Sequence, residues 1–380
     1  MRAGEDRLFV IKQSENDSKR HDSTTATEVH ARIDNAAAGF GAQGVTVHIL
    51  GGEDDPAGCW GEWVKQAAHV YGISKLAYVA VLNMIFALAM FVVHNVEVGS
   101  KLWPPQAHNT SDCYRTEHTE NAVNSSARAC CATMAHAVAH MKAGFSLNRP
   151  PGHHAMEGDA RGFCWRNNAL LTVVFFSGLV RHFGYTDDLR ICLFDIDFHH
   201  GMGIELIAIS DAFAQRLRAN ISGRVEILYY SVFRKNGFDS EQPQTTHTAA
   251  TIRGNWGRKA YYVQRRYSST TRQWGREQSA ARLVEIRQQL REYTSSGFNA
   301  VVVAAGFDHC VGERIVVPDS QQEQARLWTL DEMRDIGRSV GESARQCRLL
   351  KVPVSVLEGG YQPETMRTFL PAYAMCSAEL

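Results

Sequence analysis

Ile191-Cys192-Leu193-Phe194-Asp195-Ile196-Asp197-Phe198-His199-His200-Gly201 is the stretch on which the reading of this chain turns. Its first four residues form a continuous apolar run. That is the pattern of a short strand buried on both faces, as parallel strands are. Residues two apart on an extended chain point to the same side. Asp195, Asp197 and His199 are therefore expected to project together from the strand's end. Carboxylate and imidazole side by side suit a divalent metal of zinc type. The bland alternative is a charged loop with a satisfied histidine. It fares poorly, because buried carboxylates are costly without partners.

Working outward, similar short runs recur at Val45 to Leu50, Ala143 to Leu147, Ile227 to Tyr230, Ala300 to Ala304 and Val352 to Leu357. Helical patterns lie between them, at Asn121 to Met141, Asn167 to Phe183, Ala280 to Tyr293 and Leu330 to Cys347. Strands alternating with helices predict an α/β fold, a single open, mostly parallel sheet with helices on both faces. Four runs lead directly into unusual residues. Leu147 is followed by Arg149-Pro150-Pro151-Gly152-His153-His154, and Phe194 by Asp195, Asp197 and His199. Ala304 is followed by Ala305-Gly306-Phe307-Asp308, and Leu357 by Glu358-Gly359-Gly360-Tyr361. Ligands bind beyond the carboxyl ends of strands in open α/β sheets. These four segments are thus expected to meet at one site.

The bulk properties narrow the class. A chain of 380 residues with 44% hydrophobic content can bury a full core. The formal net charge of zero gives no nucleic-acid footprint. Nine cysteines, with Cys130 and Cys131 adjacent, do not form a disulfide framework and suit a reducing, intracellular compartment. Residues 1–27 are polar and charged, lack a signal-peptide core, and read as a flexible N-terminal arm ahead of one domain over 28–380. Leu76 to Val93 carries no charge and approaches the length of a membrane span. We read it as a buried helix of a large core, with no membrane partner expected. Arg253 to Glu292 holds ten Lys or Arg against three Glu, with Trp and Tyr interspersed. It is read as part of a solvated surface insertion over about 239–295 rather than a nucleic-acid surface, since no recognition motif accompanies it.

Taken together and in order, RPPGHHA (149–155), GFCWRNN (162–168), DIDFHHG (195–201), AGFD (305–308) and EGGY (358–361) resemble the zinc-dependent histone deacetylases of the arginase–deacetylase fold. The last two motifs are similar to the class II branch. The resemblance implies that Asp197, His199 and Asp308 hold one catalytic zinc. It implies that His154 moves the proton, that His153 is its electrostatic partner, and that Asp195 orients His153. Tyr361 corresponds to the donor to the oxyanion. Gly162 and Phe163 correspond to one wall of the tunnel for the lysine stem, Phe238 to the opposite wall, and Asp112 to a residue that binds the substrate backbone. Asp195 and Ser231 correspond to ligands of a structural potassium ion. The implied substrate is an acetylated protein or peptide such as a histone tail, with corepressor-type partners, in the nucleus or cytoplasm.

The chain departs from the pattern at two places. Met202 stands where the family carries Asp or Asn, a polar side chain that supports the second tandem histidine. A thioether is at best a weak acceptor. Phe233 stands where class II has histidine, and the segment after it does not match. Three other readings compete: an acetylpolyamine hydrolase on the same fold, an arginase-like binuclear hydrolase, and a weakly active acyl-lysine-binding scaffold. Intact Asp197, His199, Asp308, His154 and Tyr361 favour an enzyme over the scaffold.

Overall fold

A computed structural model describes residues 7–14, 18–19, 30–51, 60–94, 113, 116–231, 250–253, 261–264, 283–284, 286–288, 290–291, 297–313 and 328–379. In chain order the elements are β1 (Leu8–Lys12), α1 (Ala31–Ala42), β2 (Val47–Ile49), α2 (Val64–Val70), α3 (Lys75–His94), α4 (Thr119–His140), β3 (Ala143–Leu147) and α5 (Asn168–His182). They continue with β4 (Leu189–Asp195), α6 (Met202–Ala208), α7 (Asp211–Asn220), β5 (Val225–Ser231), β6 (Ala250–Arg253) and β7 (Tyr261–Gln264). The last are β8 (Ala300–Ala305), α8 (Leu330–Arg345), β9 (Val354–Leu357) and α9 (Pro363–Ala378).

Seven strands form one sheet in the order β2-β1-β3-β9-β8-β4-β5, and every pairing in it is parallel. The open α/β architecture expected from the alternation is the observed one. The strands β3, β9, β8 and β4 are four neighbours at the sheet's centre. Because they run the same way, the segments after Leu147, Leu357, Ala305 and Asp195 leave from one edge. This is the physical reason the four motifs meet.

Side chains alternate between two cores with period two. Ile191 and Leu193 of β4 face a core with Val302 of β8 and helices α3, α4 and α5. Cys192 and Phe194 face the other core, with Val301 and Val303 and helices α1, α8 and α9. Burying all of β4 between these layers fixes its register, since a slip of one residue exchanges the two faces.

Two expectations need correction. The flexible arm over 1–27 is interrupted by β1, which pairs with both β2 and β3 and is buried throughout. The cause is Leu8-Phe9-Val10-Ile11, an apolar run too short to stand out among charged neighbours. Phe9 and Ile11 enter one core, Leu8 and Val10 the other. The insertion over 239–295 also gives up its C-terminal end to the domain. Leu283, Ile286 and Leu290 are buried in the second core, and Arg291 pairs with Glu342 of α8 at 3.0 Å. Between these lies only a two-stranded antiparallel ladder, β6 with β7, among the described residues.

Helix α3 contains the uncharged run from Leu76 to Val93, and by length and composition it passes for a membrane span. Tyr78, Leu82, Ile85, Phe86, Ala89 and Met90 are nonetheless packed into the first core. Its one internal polar residue, Asn83, accepts from Trp60 at 2.8 Å and from Arg128 at 3.2 Å.

Candidate metal centre and its surroundings

Strand β4 ends at Asp195, and the chain then folds back through its own carboxylates. The Asp197 amide donates to Asp195 Oδ1 at 3.0 Å, and the His199 amide donates to Asp197 Oδ1 at 2.9 Å. Two further segments close on the turn. The Phe198 amide donates to Asp308 Oδ1 at 3.1 Å, and the Gly359 amide donates to Asp197 Oδ2 at 2.7 Å. Backbone amides thus aim the carboxylates, as supporting hydrogen bonds do around metal ligands. Gly306 permits the approach of β8, since a Cβ there would lie 2.5 Å from Asp197 Cγ.

The result brings together Asp197, His199 and Asp308, whose ligand atoms lie within 4.8 Å of one another. His199 Nδ1 is 2.9 Å from Asp308 Oδ2 and 3.4 Å from Asp197 Oδ1. Burial opposes charge on both carboxylates. The imidazoles of His153 and His199 nevertheless hold the Asp197 carboxyl below its ordinary range. Asp308, buried beside Asp197, is pushed up. Burial also opposes an imidazolium at His199, but the two carboxylates raise its pKa to about 10. Two buried carboxylates facing one imidazole form an anionic cup. Its oxygen and nitrogen donors fit a divalent cation of zinc type.

Asp195 does not join this trio, although alternation along an extended chain places it there. The Ile196 amide still donates to the Ala304 carbonyl at 3.0 Å, the chain bends at Phe198 and His199, and the Asp195 carboxylate serves neighbours instead. Its Oδ2 lies 3.2 Å from His153 Nδ1 and accepts from the Tyr229 hydroxyl at 2.7 Å. Ser231 is its cross-strand partner on β5, and the Ser231 Oγ is buried with no hydrogen-bond partner among the described residues. A buried orphan oxygen beside a buried carboxylate fits a monovalent cation.

The tandem histidines follow β3 through the cis Arg149–Pro150 peptide. Glu358, at the end of β9, accepts from the amides of Gly152 at 2.6 Å and His153 at 3.0 Å, and so ties one motif to another. Burial pushes the Glu358 carboxyl up to about 7. The two imidazoles differ sharply. Burial disfavours charge on His153, but Asp197 and Asp195 overcome it and raise its pKa well above the ordinary value. Burial lowers His154 far below that value, and the neighbouring His153 and His199 add to the effect. The two rings, 4.0 Å apart between centroids, are thus pushed in opposite directions, His153 toward holding a proton and His154 toward the neutral base. A second trio, His153, Cys164 and Glu358, also has ligand atoms within 4.8 Å. Its histidine is committed to Asp195 and its glutamate to two amides, so we read it as support.

Gly162 lies directly over His154, where a Cβ would meet the ring at 2.5 Å. Its φ of +54° and the +63° of Phe163 place both in the left-handed region. For a phenylalanine this is unusual, and such outliers cluster at functional sites. Phe163 faces Tyr361 edge-on, with centroids 5.6 Å apart. The two tunnel-wall candidates that are described therefore stand beside the motif histidines and the tyrosine. Phe238 and Asp112 lie outside the described residues.

Three contributors carried no predicted role. Tyr229 holds Asp195, Glu358 holds the histidine segment, and Arg32 donates to the Gly360 carbonyl at 2.9 Å with its guanidinium 4.7 Å from the Tyr361 ring centre. A tyrosine inside a strand gives no sequence signal. Arg32 does give one, since His30-Ala31-Arg32-Ile33 resembles an early His and Arg segment of the deacetylase family, although that likeness assigns it no role.

A parallel α/β sheet with a built anionic cup at its carboxyl edge defines the class as an α/β protein with a candidate divalent-metal site. A model of the histone deacetylase domain matches residues 74–375, and the chain belongs to this family. It is 30% identical over 257 residues to an acetylpolyamine amidohydrolase of Burkholderia pseudomallei, covering 67% of this chain and 62% of that protein. It is 35% identical over 100 residues to histone deacetylase 15 of Arabidopsis thaliana, covering 26% of this chain and 17% of that protein. The chain therefore spans less than two thirds of the length of these relatives. Among solved structures, the HDA15 HD domain matches with a TM-score of 0.61 at 18% identity, covering 98% of this chain and 88% of that one. An acetylpolyamine aminohydrolase from Burkholderia pseudomallei matches at 0.59 and 20% identity, covering 97% and 98%. At these identities the structures support the fold alone.

Proposed function

We propose that this protein is a zinc-dependent amidohydrolase that releases acetate from an N-acetylated primary amine, with the ε-amine of lysine in a protein as its substrate class. One observation carries the reading. A three-ligand cup of Asp197, His199 and Asp308 adjoins two neighbouring buried histidines, one of them bonded to Asp195. Three protein ligands leave a position open for substrate, as a catalytic rather than structural site requires. Bound there, zinc supplies Lewis acidity that polarises the acetamide carbonyl and acidifies water.

The remaining work falls to side chains. His154, kept neutral by burial, accepts a proton from the attacking water and returns it to the amine nitrogen as the C–N bond breaks. His153, whose hold on a proton the neighbouring Asp197 and Asp195 strengthen, balances negative charge as it develops. The Tyr361 hydroxyl donates to the carbonyl oxygen as it gains charge, and Arg32 holds the turn that carries it. Burial pushes the Tyr361 phenol well above its ordinary pKa, so it stays protonated and able to donate. Phe163, edge-on to Tyr361, offers an apolar face to a methylene stem. Asp195 and Ser231 would hold a potassium ion that stiffens the end of β4.

A second reading, hydrolysis of acetylated polyamines, is favoured by the likeness to the Burkholderia protein. The same chemistry would serve it. The test is to incubate zinc-loaded protein with an acetyl-lysine peptide and with an acetylated polyamine and to measure acetate. Faster release from the peptide supports the lysine reading. Release from the polyamine alone replaces it with the second reading.

A further inference from the structure

The turn Glu358-Gly359-Gly360-Tyr361-Gln362 is gripped from two sides. From one side Arg32 of α1 donates to the Gly360 carbonyl at 2.9 Å and to the Glu358 carbonyl. From the other comes Glu313, which none of the roles above uses. Its Oε1 accepts from the amide of Tyr361 at 3.0 Å and from the amide of Gln362 at 2.9 Å. Arg32 thus holds the turn by its carbonyls and the Glu313 carboxyl holds it by its amides.

Glu313 is badly placed for an ordinary structural role. It is 4% exposed, and its Oε2 is buried with no hydrogen-bond partner among the described residues. Gln362 precedes the first turn of α9, and its own side chain makes no capping bond. A Ser or Asp at that position would satisfy the helix end locally. Instead a distant carboxylate is desolvated to do it, and it reaches the tyrosine's own amide as well. Glu313 also belongs to the turn that carries Asp308, since its amide donates to the Cys310 carbonyl at 3.1 Å and the Cys310 amide donates to that of Phe307. It therefore links a candidate metal ligand to Tyr361 over a short path. Groups retained at a cost in stability cluster where geometry serves function.

We propose that Glu313 is a positioning residue for Tyr361, fixing the backbone from which the phenol reaches the substrate carbonyl. The inference rests on the reading of Tyr361 given above. It predicts an effect on turnover rather than on substrate affinity, because Glu313 touches the turn and not the bound stem.

The test is a double-mutant cycle on the zinc-loaded full chain, with Glu313→Gln, Tyr361→Phe and the pair, assayed on an acetyl-lysine peptide. Gln keeps an acceptor oxygen for the amides but removes the charge. The expected result is a kcat loss of about tenfold in Glu313→Gln with KM changed less than about twofold. In the Tyr361→Phe background the same change costs less than about twofold, since the group it positions is gone. Wild-type kcat in Glu313→Gln, or a loss that multiplies in full with that of Tyr361→Phe, overturns the proposal. Amide hydrogen exchange on the wild-type protein gives a reading independent of whether the variants fold. The Tyr361 and Gln362 amides are expected to exchange slowly, and rapid exchange at both overturns the clamp. A wild type with no turnover but slow exchange would instead sink the enzymatic reading and leave the clamp standing.

Discussion

Replacing Gly306 with alanine adds one methyl group at the closest approach of two strand ends. An ideal Cβ there lies 2.5 Å from Asp197 Cγ and 2.6 Å from Asp197 Cα, and closer still to Asp197 Oδ2. Carbon atoms in contact sit about 3.5–4.0 Å apart, so roughly 1 Å of separation has to be found. Neither side yields easily. Gly306 continues β8, where Ala304 is in register with Asp195 of β4 and with Val356 of β9. Asp197 is tied at Oδ2 to the Gly359 amide and at Oδ1 to the His199 amide. The carboxylate moves, and the Gly359 bond is the first to lengthen. Overpacking of this kind costs about 1–3 kcal/mol of stability. A misplacement of about 1 Å in a catalytic constellation costs on the order of 10²-fold in rate. The expected result is a folded protein with zinc content well below one per chain and turnover down by about 10²-fold. The assay pairs elemental analysis of dialysed protein with acetate release and a thermal melt. Full zinc content with wild-type turnover would refute the claim that Gly306 is what lets Asp197 sit in the cup.

Other outcomes follow from single groups. Asp308→Asn removes one carboxylate of the cup and is expected to abolish stoichiometric zinc binding while the melt stays cooperative, read by elemental analysis and calorimetry. Glu313 has its carboxyl raised from 4.5 to about 7 by burial. A raised carboxyl favours the folded state most fully below pH 4.5, and that contribution is lost as pH climbs through about 7. Wild type should therefore lose about 3 kcal/mol relative to Glu313→Gln between these limits, measured by denaturant unfolding at a series of pH values. A difference that stays constant across pH would show that Glu313 is not desolvated. Met202→Asn offers an acceptor where this chain has a thioether. It should raise the affinity of His154 for a proton and move the acid limb of the pH–rate profile upward. An unchanged profile would remove Met202 from the account of His154.

Much of the fold was legible because β4, β8 and β9 are buried on both faces and read as uninterrupted apolar runs. The convergence of four motifs was legible for the same reason, since adjacent parallel strands deliver their ends to one edge. The edge of the sheet was less so. Leu8-Phe9-Val10-Ile11 has four apolar residues, and only pairing with β2 and β3 makes it a strand. Local alternation failed at Asp195 for a different reason. The backbone bends at Phe198 and His199 and its amides bond the segment's own carboxylates, and no pattern of hydrophobicity encodes that. Tyr229 and Glu313 were invisible for a third reason. Each acts across more than 25 residues of sequence, on Asp195 and Tyr361 respectively.

The most direct test is acetate release from an acetyl-lysine peptide by zinc-loaded protein, run beside Tyr361→Phe and zinc-stripped protein. The expected result is turnover in the wild type, a loss of at least about 10²-fold in the variant, and none without zinc. A wild type that holds one zinc yet releases no acetate from the peptide or from an acetylated polyamine would contradict it.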